Sequence, residues 1–92
     1  MQNMPKVTKS HSTPYFERQF ERLPNELQAI AARKILMFEE NPFHPGLGTH
    51  KLKGALSAYW AFYITKKFRV MLRFLDNNEV IYYDVDDHDI YK

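Results

Sequence analysis

The sequence predicts an α+β domain in which two N-terminal helices pack on one face of a small antiparallel sheet. Up to Asn41 the apolar residues recur at helical spacing, whereas from Tyr59 onward they follow a period of two. Aromatic residues make up 15% of the 92 residues, and each of them can bury a large area. We therefore expect one domain over residues 1–92, with the element order β-α-α-β-β-β.

The N-terminal half begins with a weak strand over residues 7–11, which two helices follow. A hydroxyl in Ser12-Thr13 can cap the first helix, and Pro14 suits the first helical position, where an N–H is not needed. Pro24 ends this helix and can open the second, which stops at Asn41 because a residue before proline avoids helical angles. The apolar positions are Phe16, Phe20 and Leu23 in the first helix, and Leu27, Ile30, Ala31, Ile35 and Phe38 in the second.

A long connection separates the helices from the strands. Residues 42–58 contain Pro42, Pro45 and all three glycines, which predicts a mostly irregular segment. Connections of more than about 12 residues are uncommon in compact domains and are often functional. Three strands rich in aromatic and β-branched residues follow over residues 59–64, 68–75 and 80–85, with tight turns at 65–67 and 76–79.

The composition excludes several classes of protein. The chain has no cysteine, so a disulfide framework, a thiolate zinc site and a cysteine nucleophile are excluded, and a reducing compartment is favoured. No apolar stretch approaches the roughly 20 residues of a membrane span. The first residues lack the apolar core of a signal peptide. We expect a cytoplasmic protein that makes no membrane contact.

Charge is distributed unevenly along the chain, although the net charge is only +2. Between His50 and Arg73 there is no acidic residue, whereas acids dominate from Asp76 onward. In the predicted strand over residues 68–75, side chains two apart share a face. One face is therefore apolar and the other carries two arginines. The basic residues of this segment are Lys51, Lys53, Lys66, Lys67, Arg69 and Arg73.

The final residues, His88-Asp89-Ile90-Tyr91-Lys92, place a histidine and a tyrosine at the end of the chain. Chain ends usually fray and tolerate change. We therefore interpret these side chains as part of a proton-transfer site that the tail completes opposite Arg69 and Arg73. Two other interpretations stay open for the acidic residues around His88: solvated charges that balance the histidine, or ligands of a divalent metal together with it.

Five short motifs resemble, in order and spacing, those of a known family. They are Asn41-Pro42 after the second helix, His50-Lys51-Leu52-Lys53-Gly54 in the connection, Tyr59-Trp60 and Phe68-Arg69-Val70 in strands, and His88-Asp89-Ile90-Tyr91 at the end. Together they resemble the RelE/ParE superfamily of bacterial type II toxins, and especially its ribosome-dependent mRNA interferases such as RelE, YoeB and YafQ. The resemblance extends from roughly Val7 to Lys92.

The resemblance implies a compact RNase of RelE-like fold that a cognate antitoxin neutralises. His50 matches a position where interferases carry a Glu or His taken as the general base, and Arg69 matches the strand arginine that contacts the scissile phosphate. His88 and Tyr91 match C-terminal positions used for acid–base chemistry and base stacking. The expected RNA-binding residues are Lys51, Lys53, Lys66, Lys67 and Arg73.

These residue types suit metal-free RNA cleavage. The reaction needs a base for the 2′-OH proton, an acid for the leaving 5′-oxygen and positive charge at the phosphorane. Unperturbed histidine titrates at about pH 6.5, so His50 and His88 can share the first two roles in either order. Arg69 offers a planar, bidentate charge to phosphate, and Tyr91 can stack on a splayed base. We expect neither a cofactor nor a metal.

Other interpretations of these residues stay open. Arg69 and Arg73 can form the solvated face of an antiparallel sheet, and His50 can be an ordinary surface residue. Tyr63 and Lys67 depart from the family, some members of which have His and Asp there. The alternative to a nuclease is a non-enzymatic protein-binding module of the same fold, either gyrase-directed like ParE or inactive.

The expected partners are a cognate antitoxin and mRNA on the ribosome, which would orient the mRNA for cleavage. We expect the antitoxin to lay an amphipathic helix or strand across an apolar and basic surface. Candidate contacts are Met37, Phe43 and Tyr59. Convergence of the two candidate histidines on Arg69 is the feature that separates the nuclease from the protein-binding module.

Overall fold

The computed structural model describes residues 6–87, which form two α-helices and a five-stranded sheet. Three short 3₁₀ turns connect these elements within that range. This architecture confirms the predicted α+β fold, with both helices ahead of the main strands. In chain order the elements are β1 Lys9–Ser12, α1 Pro14–Arg22, α2 Asn25–Glu40, β2 His50–Lys51, β3 Trp60–Tyr63, β4 Phe68–Phe74 and β5 Glu79–Asp87.

The strand order in the sheet is β1-β5-β4-β3-β2. Strands β3 to β5 form the predicted antiparallel meander, and β2 adds an antiparallel edge strand to it. Two features differ from the prediction. First, β1 pairs with β5 in parallel, so the sheet is mixed; parallel pairing requires a long crossover, which the helices and the meander provide. Second, the connection contains β2, whose two residues are too few to show a strand period.

The first helix begins at the predicted position, and the structure identifies its cap. Thr13 Oγ1 accepts a hydrogen bond from the backbone N–H of Phe16 at 3.0 Å, and Pro14 opens the helix. The backbone N–H of Thr13 donates to the carbonyl of Tyr82 at 3.1 Å, which fixes the start of α1 against β5. Ser12 instead donates to a carboxylate oxygen of Glu17 at 2.6 Å.

The core lies between α2 and one face of the sheet. Phe38 of α2 is fully buried, and its ring stacks on Phe62 of β3 with centroids 4.4 Å apart. The central strand β4 contributes Val70 and Leu72, neither of which is exposed. Replacing a buried phenylalanine by alanine costs about 3–5 kcal/mol, so this aromatic pair is a major source of stability in a small domain.

A β-bulge in β5 decides which of its side chains face the core. Met71 of β4 pairs with Asp84, and the next residue of β4 pairs with Tyr82, so Tyr83 is an extra residue in β5. Tyr82 and Val85 are consequently both buried, at 4% and 1% exposure, although strict alternation would put them on opposite faces. The bulge turns Asp84 toward the face that lacks helices.

We call the sheet face opposite the helices the outer face. Residues that pair directly across antiparallel strands share a face, so the register defines two rows of side chains there. One row runs through Tyr63, Arg69 and Asp86, and the other through His50, Ala61, Met71 and Asp84.

Both predicted hairpin turns are present. Asn77 and Asn78 adopt φ angles of 62° and 61°, a left-handed conformation that asparagine tolerates better than most residues. In the β3–β4 turn, Thr65 Oγ1 accepts hydrogen bonds from the backbone N–H groups of Lys67 and Phe68, at 3.2 Å and 3.1 Å. Within residues 6–87, neither helix has the length and apolar character of a membrane span.

Candidate functional site

His50, Tyr63 and Arg69 lie side by side on the outer face. The ring of His50 stacks on Tyr63, with centroids 5.7 Å apart and planes inclined by 21°. Tyr63 pairs directly with Arg69 in the β3–β4 hairpin, and Arg69 pairs with Asp86 on its other side. The fold thus brings His50 and Arg69, two of the predicted catalytic residues, onto one surface.

A backbone carbonyl fixes the tautomer of His50. The Nδ1 atom lies 2.9 Å from the carbonyl oxygen of Gly48, and since a carbonyl can only accept, Nδ1 must carry the hydrogen. In the neutral ring Nε2 then has a free lone pair. The half-buried His50 is thereby prepared to take a proton, as a general base does.

Position 48 requires a glycine for two reasons, its left-handed backbone conformation and the close approach of Tyr63. Its φ of 61° lies in the left-handed region, where side chains are strained. A Cβ atom built on Gly48 would lie 3.0 Å from Cδ2 of Tyr63. This glycine therefore supports His50 through its carbonyl and allows Tyr63 to pack closely beside it.

Arg69 is largely buried, with 9% of its surface exposed. Asp84, in the adjacent row of the outer face, is 6% exposed. Charged side chains are rarely buried without charged or hydrogen-bonding neighbours, and the acids of β5 supply opposite charge near the guanidinium. Arg69 is therefore a fixed positive group of the sheet. The solvated-face interpretation fits Arg73, which is exposed.

The acidic residues at the end of β5 are structurally engaged. Asp86 Oδ2 accepts a hydrogen bond from Gln19 of α1 at 3.0 Å, and Asp87 Oδ2 lies 3.3 Å from Nζ of Lys67. The interpretation of these two carboxylates as merely solvated charges is therefore wrong. The described part of the chain contains no group of three or more His, Cys, Asp or Glu side chains placed to hold a metal ion.

The predicted RNA-binding residues do not form one patch. Arg73 is exposed on the outer face, whereas Lys51 lies on the opposite face of β2 from His50. Lys53 and Lys66 are exposed in the connections that flank β3. The positive charge of Lys67 lies against a carboxylate, as described above.

Two predicted catalytic residues, His88 and Tyr91, lie outside the described residues. The last described residue, Asp87, pairs with Phe68, which immediately precedes Arg69 in β4. The end of β5 is therefore adjacent to the arginine on which the predicted site centres.

Tyr63 and Lys34 are not among the predicted site residues, although both lie at or beside this surface. A three-residue turn over residues 65–67 pairs Tyr63 with Arg69, so the hairpin register contains a signal for Tyr63. Lys34 lies on the same side of α2 as the apolar stripe, between Ile30 and Phe38 at helical spacing. A lysine in that stripe is a sequence signal, but which turn its side chain approaches depends on tertiary packing.

The candidate partner contacts are apolar side chains with partial exposure. Phe43 is 38% exposed and packs edge-on against Trp60, with centroids 5.5 Å apart. Tyr59 packs in the same manner against Tyr83 at 5.1 Å. Met37 is half-buried against the core. These residues are available to a partner only over part of their surface.

A groove of about 640 Å³ lies between β1 and the two helices. Leu36 at the groove is 65% exposed. The acidic side chains that line it are Glu17, Glu21 and Glu39. This apolar groove is acidic and the predicted RNA-binding residues lie elsewhere, so the antitoxin contact across an apolar and basic surface stays a prediction.

Tyr82 in this groove is a structural phenol. Its hydroxyl donates to Glu39 Oε2 at 2.6 Å. Burial raises the pKa of Tyr82 far above its ordinary value, and the hydrogen bond and negative charge of Glu39 raise this pKa further. Tyr82 stays neutral at physiological pH and connects α2 to β5.

Known structures resemble this chain over nearly their whole length. A chain of the RelBE2 toxin–antitoxin complex from Mycobacterium tuberculosis superposes with a TM-score of 0.78 at 16% identity, covering 94% of this chain and 97% of that one. The YoeB/ParE toxin from Agrobacterium tumefaciens gives 0.76 at 20% identity, covering 88% and 99%. YafQ from E. coli gives 0.70 at 10% identity, covering 89% and 94%.

These similarities establish the fold. The chain has the RelE-like fold that these toxin structures share, as the motif resemblance predicts. The sequence alone matches no family model and no curated protein at a significant level.

Proposed function

We propose that this chain is the toxin of a bacterial type II toxin–antitoxin system. We further propose that it acts in the cytoplasm as a metal-independent endoribonuclease that cleaves mRNA on the ribosome. One observation carries this proposal: on a face free of helices, His50 stacks on Tyr63, which pairs directly with Arg69. A proton acceptor and a fixed positive charge are therefore held on the same surface, as metal-free RNA cleavage requires.

Each residue has a specific role in the proposed reaction. Nε2 of His50 removes the proton of the 2′-OH, and Arg69 stabilises the charge that develops on the phosphorane. His88 protonates the leaving 5′-oxygen, and Tyr91 stacks on a base. Positive charge along the RNA backbone comes from Lys53, Lys66 and Arg73.

A cognate antitoxin is the proposed protein partner. The RelBE2 structure is that of a toxin–antitoxin complex, and its similarity to this chain supports the same kind of partner. Leu36 and Phe43 are large apolar side chains with substantial exposure, at 65% and 38%, and a bound protein would remove them from water.

The second candidate function is a non-enzymatic protein-binding module, either gyrase-directed or inactive. The observation that favours it is the 9% exposure of Arg69 beside the 6% exposed Asp84. A buried guanidinium on a strand that pairs with acidic residues can be a structural group rather than a phosphate ligand. The two candidates therefore differ in whether Arg69 contacts RNA.

The test is induced expression in bacteria, with growth and primer extension on a reporter mRNA as readouts. His50→Gln and Arg69→Gln are compared with the wild type and with Arg33→Gln, which removes an exposed arginine of α2, a helix on the opposite face of the sheet from His50. We expect growth arrest and mRNA cuts with the wild type and Arg33→Gln. Loss of a general base should lower the cleavage rate about 10²–10⁴-fold in His50→Gln.

Other outcomes separate the two candidates. Growth arrest without mRNA cuts contradicts the nuclease and favours a different cellular target. A folded wild-type protein that neither arrests growth nor cuts mRNA identifies an inactive relative, and the catalytic roles above are then withdrawn.

A further inference from the structure

A cleft adjoins the candidate cleavage site. This cleft of about 550 Å³ lies between α2, the 3₁₀ turn Pro45–Leu47 and the β3–β4 turn. Tyr63 lines the cleft and also stacks on His50, so one aromatic ring borders both sites. The lining residues are Lys34, Gly46, Tyr63, Ile64, Thr65 and Lys66.

Two lysines give the cleft its charge. Lys34 is half-buried on α2, and Lys66 is exposed in the β3–β4 turn. Among residues 6–87, the lining includes no acidic side chain and neither lysine forms an ion pair. Two like charges brought into one cleft repel each other, and a bound anion would remove this repulsion.

Within residues 6–87, the two lysines of the β3–β4 turn differ, because Lys67 pairs with a carboxylate and Lys66 does not. Lys67 follows Lys66 directly, and its Nζ lies 3.3 Å from Oδ2 of Asp87. The same turn therefore contains one lysine whose charge is neutralised and one whose charge is directed to the cleft.

Thr65 adds a hydrogen-bond donor. Its Oγ1 already accepts two backbone N–H bonds, from Lys67 and Phe68, which use the two acceptor positions of a hydroxyl. Its own hydrogen makes no hydrogen bond to any residue of the described chain. Thr65 can therefore offer only a donor to the cleft, which suits an anion.

We propose that Lys34, Lys66 and Thr65 form a phosphate subsite that holds the RNA backbone next to the candidate cleavage site. Lysine binds phosphate as a point charge. Because Tyr63 lines the cleft and stacks on His50, a phosphate bound there would lie beside the candidate cleavage site. The proposal rests on the proposed function in taking RNA as the ligand. The phosphate belongs either to the mRNA strand or to ribosomal RNA, which share this chemistry.

The test measures binding of a fluorescent single-stranded 2′-O-methyl RNA oligonucleotide, which cannot be cleaved because it lacks the 2′-OH. Lys34→Gln and Lys66→Gln are compared with the wild type, and Arg33→Gln is the matched control, adjacent to Lys34 in α2 but outside the cleft. Between about 50 and 200 mM salt, each removed phosphate contact should lower the slope of log affinity against log salt by about 0.7. We expect this decrease for both lysine variants and an unchanged slope for Arg33→Gln.

A second arm identifies the source of the phosphate. Co-sedimentation with mRNA-free ribosomes is measured for the same variants. Normal oligonucleotide binding with weaker co-sedimentation assigns the phosphate to ribosomal RNA, whereas weaker oligonucleotide binding assigns it to mRNA. Both results support the subsite.

Unchanged slopes and unchanged co-sedimentation for both lysine variants overturn the subsite, as does an equal effect of Arg33→Gln. Because Lys66 is in an exposed turn, its variant keeps the test decisive if Lys34→Gln fails to fold. The subsite fails independently of the proposed function when His50→Gln and Arg69→Gln abolish cleavage but the lysine variants bind both the oligonucleotide and the ribosome normally. Conversely, altered salt slopes in the two lysine variants, together with no mRNA cleavage by the wild type, contradict the nuclease function but support the subsite.

Discussion

At the residue scale, Gly48 links backbone conformation to the candidate base. Its carbonyl orients His50, and its missing side chain leaves room for Tyr63. Gly54 has nearly the same backbone conformation, with a φ of 66°, but apart from its chain neighbours no described residue has an atom within 4 Å of the position of its Cβ. The two glycines therefore separate the cost of a left-handed backbone from the cost of a steric contact.

We predict that Gly48→Ala reduces mRNA cleavage and that Gly54→Ala does not. Both substitutions should destabilise the fold by about 1–2 kcal/mol through left-handed strain. Only the first displaces Tyr63, and with it the ring of His50. Urea unfolding measures the stability and primer extension measures the cleavage. Equal cleavage by the two variants would contradict the role of this contact.

Tyr82 provides a second prediction at this scale, concerning alkaline pH. Because its pKa is raised in the folded state by burial and then by Glu39, the unfolded state releases its phenolic proton first. Its contribution to stability is complete below the unfolded pKa of about 10 and is lost as pH rises above it, by up to about 1.4 kcal/mol per pH unit. Tyr82→Phe should therefore show a smaller loss of stability between about pH 9 and pH 11.

Urea unfolding across this pH range tests the prediction, with Tyr15→Phe as the control. Tyr15 is 46% exposed on α1, so its removal should leave the pH dependence unchanged. At neutral pH, Tyr82→Phe should also cost about 1 kcal/mol, because Glu39 loses its hydrogen-bond donor. Identical alkaline curves for the wild type and Tyr82→Phe would show that Tyr82 is not the responsible group.

At the element scale, α1 depends on one of two adjacent hydroxyls. We predict that Thr13→Ala destabilises the fold by about 1 kcal/mol, the usual cost of losing an N-cap. Ser12→Ala should cost less, because the Ser12 hydroxyl reaches only the exposed Glu17. Urea unfolding of both variants measures the difference. A larger loss for Ser12→Ala would contradict the assignment of the cap.

A helix or strand can be predicted from the sequence where its apolar residues recur at helical or strand spacing over several positions. The caps and prolines of α1 and α2, and the alternation in β3 and β4, locate these four elements closely. In β5, the alternation of side chains between the two sheet faces is interrupted at Tyr83, because a bulge adds one residue. No local pattern marks that bulge, so the burial of Asp84 is a property of the pairing with β4.

At the scale of the whole molecule, the sheet separates two tasks. The helices and the aromatic core occupy one face, and the candidate site occupies the other. The alternation of β4 predicts this division, since Arg69 and Arg73 face away from Val70 and Leu72. The position of Lys34 could not be predicted in the same way, because its approach to the β3–β4 turn depends on how α2 packs across the sheet.

The pairing of β1 with β5 gives the chain an order of assembly during synthesis. Lys9 leaves the ribosome early, but its partner Glu79 begins the final described strand, and contacts between residues so distant in sequence form late. The outer face is also incomplete until β5 supplies Asp84 and Asp86. A nascent chain thus carries His50 and Arg69 before it has the sheet that fixes them. Under the proposed function, the candidate site is therefore held in place only after β5 has joined the sheet.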